Sequence, residues 1–210
     1  TNQDNMFLEH LLAGQCNPED IVCEARINMY IIKTLNTGSL SFALQVKRQE
    51  ERKLIDTIKG FTNFFDYIFI DFPPSSSRLS EILLDISDTI LLVVGLDTLG
   101  LDGYINTIQF FVDSDINLDK IKYIVPTQYH PVKLAPKTCL KELKIQASKY
   151  TPEAIITDPI CDRSVIKNLQ AEGVSIFDKH QMQSRFHQKN RDEVEKEWTS
   201  AFKKLNLDQK

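Results

Sequence analysis

The stretch FDYIFIDFPPSSS (65–77) holds the first residues that could do chemistry. An apolar run ends in Asp71, and Pro73 and Pro74 stiffen the backbone just after it. A carboxylate at the carboxyl end of a strand can hold Mg²⁺ directly or through water while the metal bridges phosphate oxygens. A strand-ending Asp can equally cap the turn or helix that follows. A metal-bound phosphate also needs a cradle, and the loop G-x-x-x-x-G-K-[ST] supplies one after a strand. Seven glycines make that search short. Gly95 and Gly100 have the right separation, but Leu101 and Asp102 follow them in place of Lys and Ser or Thr. By its own residues the chain offers a candidate metal-site aspartate and no phosphate cradle.

Other chemistry is sparser. Four cysteines (Cys16, Cys23, Cys139 and Cys161) are widely spaced with no C-x-x-C pair, which argues against a structural zinc site and for reduced thiols. Positive charge collects in two runs. Lys137, Lys141 and Lys144 follow helical spacing with Lys133 and Lys149 nearby; Lys179, His180, Arg185, His187, Lys189 and Arg191 form the second. Net charge is −4, so nucleic-acid binding has to come from such a patch rather than from overall composition. Either run also reads as a solvated helix face.

Elements must deliver these groups. With 210 residues, 42% hydrophobic and 26% charged, the chain can bury a substantial core. No apolar run approaches the roughly 18 residues a membrane span needs, and no secretory signal opens the chain. Near-continuous apolar runs at 67–71, 88–96, 121–127 and 153–158 predict strands buried on both faces, hence a parallel sheet. Helical patterns lie between them. Residues 77–87 place Leu79, Ile82, Leu83 and Ile86 on one face; 99–113 place Leu101, Ile105, Ile108 and Val112; 136–150 place Leu140, Leu143 and Ala147. This alternation predicts an α/β fold, a doubly wound, mostly parallel sheet with helices on both faces. Earlier, 5–14 reads as a short helix capped by Asp4 or Asn5 and ended by Gly14, 27–35 as a strand, and 43–60 as a charged helix. The tail 190–205 is an amphipathic helix using Val194, Trp198, Phe202 and Leu205.

The stretch FDYIFIDFPPSSSRLSEILLDISDTILLVV resembles the ParA/MinD group of deviant P-loop ATPases, most of all the ParA partition proteins. The resemblance continues in order through DTLGLDGYINTIQFF (97–111), INLDKIKYIVPTQYHP (116–131) and ITDPICDRSVIKNLQAEGVSIFD (156–178). The opening TNQDNMFLEHLLAG is similar to the D-P-Q-G-N run that follows the second strand of that group. On that alignment about 40 family residues, the size of a βαβ unit, would precede Thr1. The expectation is a single ParA-like domain over 1–210, P-loop NTPase-like and lacking its N-terminal βα segment with the P-loop.

The resemblance implies ATP and Mg²⁺ as cofactors. It makes Asp71 the catalytic, Walker-B-type residue, acting on Mg²⁺ through water, and assigns Pro73 and Pro74 to the switch after it. Gln3 and Asn5 fall near the nucleotide, or else simply cap the first helix. Thr127 and Gln128 match the loop that binds the base. Pro159, Cys161 and Asp162 match a second loop near the base, although Asp162 could also cap a helix starting near Arg163. The family aspartate that positions the attacking water falls on Thr1, which leaves hydrolysis by this chain open, and the late proline of G-x-P is Ser175. The implied partners are a second copy in an ATP-dependent homodimer, non-specific DNA and a centromere-binding, ParB-like protein, with no membrane. The implied place is the nucleoid in the cytoplasm of a bacterium or archaeon. Two alternatives remain: a P-loop-less regulatory or protein-binding module, and another ATPase of the group serving pilus, cellulose or division-site machinery.

Overall fold

The structure, a computed structural model, describes residues 6–46, 48–72, 77–178 and 185–205. The chain divides into two compact units, Thr1–Ser87 and Asp88–Lys210.

The first unit is mainly helical. Helix α1 (Leu8–Leu12) ends as the sequence predicts, at Gly14, whose φ is +75°. The Gly14 amide donates to the Leu11 carbonyl and the Gln15 amide to the His10 carbonyl, the bonding pattern of a Schellman cap. The helix starts at Phe7, whose amide donates to His10 Nδ1, while Asp4 and Asn5 lie outside the described residues. Strands β1 (Val22–Arg26) and β2 (Met29–Ile32) form an antiparallel hairpin, with Asn28 in the left-handed region at its tip, where Asn is tolerated. The predicted strand at 27–35 is thus present but shorter and antiparallel. Helices α2 (Thr37–Val46) and α3 (Arg48–Phe61) cover the predicted helix at 43–60, and Lys47 lies outside the described residues. With α4 (Arg78–Ile86) they enclose a core of Leu12, Leu40, Leu44, Leu54, Leu79, Ile82 and Leu83. Ser77 caps α4 by accepting the Ser80 amide.

The segment at 67–71 departs from expectation. None of the described residues forms a β-ladder with 68–71, and Phe69 is 80% exposed. A strand exists only where a neighbour satisfies its main-chain groups, so apolar character alone does not make this one. Burial still alternates: Ile70 and Phe72 pack on the unit's core while Asp71 between them is exposed.

The second unit holds a parallel sheet in the order β3 (Ile90–Gly95), β4 (Ile121–Thr127) and β5 (Ile155–Ile156). Helix α5 (Thr98–Asp113) connects β3 to β4, and α6 (Leu134–Tyr150) connects β4 to β5, as parallel neighbours require. The fold is therefore α/β. Helices α7 (Ser164–Ala171) and α8 (Arg185–Lys203) follow. β4 is central, with Ile121, Ile124 and Val125 buried. Along β3, Ile90 and Val94 are buried while Leu91 and Val93, on the opposite face, are exposed, Val93 by 65%, so one face of this strand is open although burial on both faces is predicted. Helix α5 buries Tyr104, Ile108 and Phe111, so the inward face is rotated from the predicted stripe, and Ile105 and Val112 stay partly in solvent. Tyr104 decides this, since its hydroxyl reaches Thr151 at 2.9 Å beyond the end of α6. The predicted inner faces of α4, α6 and α8 are the observed ones, except that Phe202 keeps 38% of its surface in solvent.

Candidate functional site

The carboxyl ends of the parallel strands build the site in the second unit. At the end of β3, Asp97 caps α5 by accepting the Gly100 amide at 2.7 Å. This draws the first turn of α5 onto the strand. A Cβ on Gly100 would stand 2.1 Å from the Gly95 carbonyl oxygen, so only glycine allows the approach. Gly95 and Gly100, which fail as a phosphate-loop pair, thus make a strand-to-helix contact.

At the end of β4, Thr127 pairs with Gly95, and its carbonyl accepts the Leu96 amide at 3.0 Å. Gln128 follows with φ +59°, a left-handed conformation that costs an L-residue about 1 kcal/mol or more. The turn places the Gln128 side chain over Gly95, whose missing Cβ makes room; an added Cβ would meet Oε1 at 3.2 Å. Gln128 is otherwise exposed. Its carboxamide can both donate and accept, as the edge of a purine base requires.

Beyond β5, residues 159–163 run beside this turn. The Ile160 amide donates to the Pro126 carbonyl at 2.8 Å, the Tyr129 amide to the Ile160 carbonyl at 3.0 Å, and the Asp162 amide to the Tyr129 carbonyl at 3.2 Å. Tyr129 and Cys161 form a parallel bridge. On its other side the Cys161 amide donates to the Glu197 carboxylate of α8. Burial, then Glu197, push the Cys161 thiol above its ordinary range, with the Arg163 guanidinium opposing. Asp162 does not cap α7. Arg163 holds the cap position, and Asp162 instead stands 3.8 Å from Lys167 with both side chains mostly exposed.

The structure therefore brings Thr127, Gln128, Pro159, Cys161 and Asp162 together. Asp71 belongs to the first unit and is exposed there. Gln3, Asn5, Pro73 and Pro74 lie outside the described residues, as do Lys179 and His180. Among the described residues no three His, Cys, Asp or Glu side chains gather as a metal site. A lone carboxylate suits Mg²⁺, which keeps several waters and takes most other ligands from phosphates. The Gln128 turn thus fits the edge of a base and, separately, Asp71 fits a one-carboxylate share of a metal; the described residues do not supply a phosphate cradle. Of the first basic run, Lys133, Lys137, Lys141, Lys144 and Lys149 are exposed. Arg191 of the second is buried, donating to the Ile176 and Asp178 carbonyls, and adds nothing to a surface patch. Sequence reasoning missed Glu197 and the meaning of Gly95 and Gly100. No helix among the described residues is long and apolar enough to cross a membrane.

A parallel α/β sheet with strand-end loops converging at its carboxyl edge is the arrangement of nucleotide-binding folds. Residues 1–121 match the family model described as AAA domain. The chain belongs to that family, and with it to the ParA/MinD type of P-loop ATPase. The fold is similar to that of apo McdA from Cyanothece, with a TM-score of 0.71 and 18% identity over 95% of this chain and 77% of that one. A variant of Cyanothece McdA in complex with ATP gives 0.69 and 17% over 92% and 75%. A proposed plasmid partition protein from Borrelia burgdorferi B31 bound to AMPPNP gives 0.67 and 15% over 92% and 75%. The comparison with curated proteins found no match.

Proposed function

We propose that the chain is the main part of a ParA-like ATPase that partitions a plasmid or chromosome, and that its strand-end loops hold the adenine base of ATP. The observation that carries this is the pairing of the Gln128 turn with residues 159–163 through Tyr129, at the carboxyl ends of a parallel sheet in a chain of this family. Gln128 reads the edge of the base through its carboxamide, and Thr127, Pro159, Cys161 and Asp162 shape the slot. Asp71 serves Mg²⁺ through water at the phosphates, with Pro73 and Pro74 in the switch beside it and Gln3 and Asn5 near the nucleotide. The metal supplies neutralisation of phosphate charge when bound. The McdA and Borrelia structures, which hold ATP and AMPPNP, support a nucleotide as the ligand.

ATP-dependent pairing of two copies, non-specific DNA binding through Lys133, Lys137, Lys141 and Lys144, and release by a ParB-like partner complete the proposal. It places the protein on the nucleoid of a bacterial or archaeal cytoplasm. The test is ATP titration by calorimetry at millimolar Mg²⁺, on this chain and on the full-length product of its gene. The full-length product should bind, and Asp71→Asn should weaken that binding only when Mg²⁺ is present. A full-length product that binds no ATP would replace this proposal with that of a regulatory, protein-binding module.

A further inference from the structure

Helix α8 runs antiparallel to the second loop of the site and touches it turn by turn. Lys204, just past α8, pairs with Asp158 at 2.9 Å, and Ser200 reaches the same carboxylate at 3.4 Å. Ile160 packs with Ala201 and Trp198. The Cys161 amide donates to Glu197. The Arg163 guanidinium lies 3.7 Å from Glu193 and 3.8 Å from Glu197. As the loop advances from 158 to 163, its partners step back along the helix.

These contacts differ in strength. The ion pairs to Lys204 and Glu193 join well-exposed groups and are weak. Glu197 is different on two grounds. Its side chain is only 18% exposed, and it accepts a main-chain N–H, a charge-assisted bond that fixes backbone rather than a side-chain tip. The residues flanking Cys161 point the other way, since Ile160 accepts from Tyr129 and Asp162 donates to it. Cys161 therefore cannot shift from α8 without straining two main-chain bonds to the residue beside Gln128.

We infer that Glu197 is a positioning residue: through it α8 fixes residues 159–163, and through Tyr129 it holds the Gln128 turn in the geometry that selects one purine base over another. The specificity role rests on the base-site proposal above; the mechanical role does not.

The test uses Glu197→Ala and Glu197→Gln in the full-length product of the gene. Two readouts are combined, amide hydrogen exchange by NMR and the ratio of affinities for ATP and GTP. In Glu197→Ala, exchange at the Cys161 amide should quicken roughly tenfold, the size of one lost charge-assisted bond. Exchange at Ile124 and Leu143, deep in the core, should not change. The ATP-to-GTP ratio should fall roughly tenfold. Glu197→Gln keeps an acceptor oxygen and should hold both readouts within about threefold of wild type. Unchanged exchange at Cys161 in Glu197→Ala would overturn the inference, as would faster exchange spread evenly over the core. Faster local exchange with an unchanged ratio would overturn the link to the base. A wild-type protein that does not prefer one base would sink the base-site proposal and the specificity role together, and the exchange data would still decide whether Glu197 holds the loop.

Discussion

Gly100 and Gln128 pull the backbone in opposite directions of tolerance. At Gly100 a methyl group would collide with the Gly95 carbonyl, which is main chain and cannot swing aside. Gly100→Ala should therefore cost about 3 kcal/mol of unfolding free energy, read by denaturant titration. At Gln128 the strain already exists. Gln128→Gly should leave stability level or raise it by up to about 1 kcal/mol, because glycine adopts φ +59° freely, yet ATP binding by the full-length product should weaken. Such a split is expected of a residue kept for binding. Cys161 makes a pH signature. Its thiol is harder to ionise folded than unfolded, so its contribution is full below the ordinary value of 9.0 and fades as pH rises past it. Wild type should lose more stability than Cys161→Ser between about pH 8 and about pH 10. At this scale the family resemblance picks out Thr127, Gln128, Pro159, Cys161 and Asp162, and the fold sets them side by side at the strand ends. Glu197 was not legible, because its partner Cys161 lies 36 positions away and no local pattern announces the bond.

Elements were legible where period and punctuation agreed. β4 occupies the predicted 121–127, and α4, α5 and α6 start and stop within two residues of their predicted bounds. Gly14 and Gly173 each stand left-handed just past a helix and close a Schellman cap, at Gly173 with Val174 folding back on Leu169. Two of the failures share a cause in neighbours distant in sequence: residues 68–71 find no ladder partner among the described residues, and the face of α5 turns toward Thr151. The charged contacts along α8 should matter less to stability than the core beneath them. Lys204→Ala, which removes an exposed pair with Asp158, should cost less than about 0.5 kcal/mol. Leu143→Ala, at a site with no exposure, should cost about 3 kcal/mol. The two values come from one set of urea melts.

Across the whole molecule, a net charge of −4 opposes nucleic-acid binding, so any DNA contact must be local. The stripe of Lys133, Lys137, Lys141 and Lys144 is exposed along one helix and its approach. If all four meet phosphates, the logarithm of DNA affinity against the logarithm of salt should have a slope of roughly −3 to −4. Lys137→Ala with Lys141→Ala should make that slope shallower by about 2, measured by fluorescence anisotropy on a duplex of arbitrary sequence. Fold class and family were legible from ordered motifs spread over most of the chain; the parallel sheet with its crossover helices bears out the first and the AAA domain match over 1–121 the second. The central claim is that the base of ATP lies between the Gln128 turn and residues 159–163. Photolabelling of the full-length product with an azido-adenine analogue of ATP, followed by peptide mapping, tests it most directly. Label competed by ATP should fall on 127–131 and 159–163; competed label confined to any other segment would contradict the account.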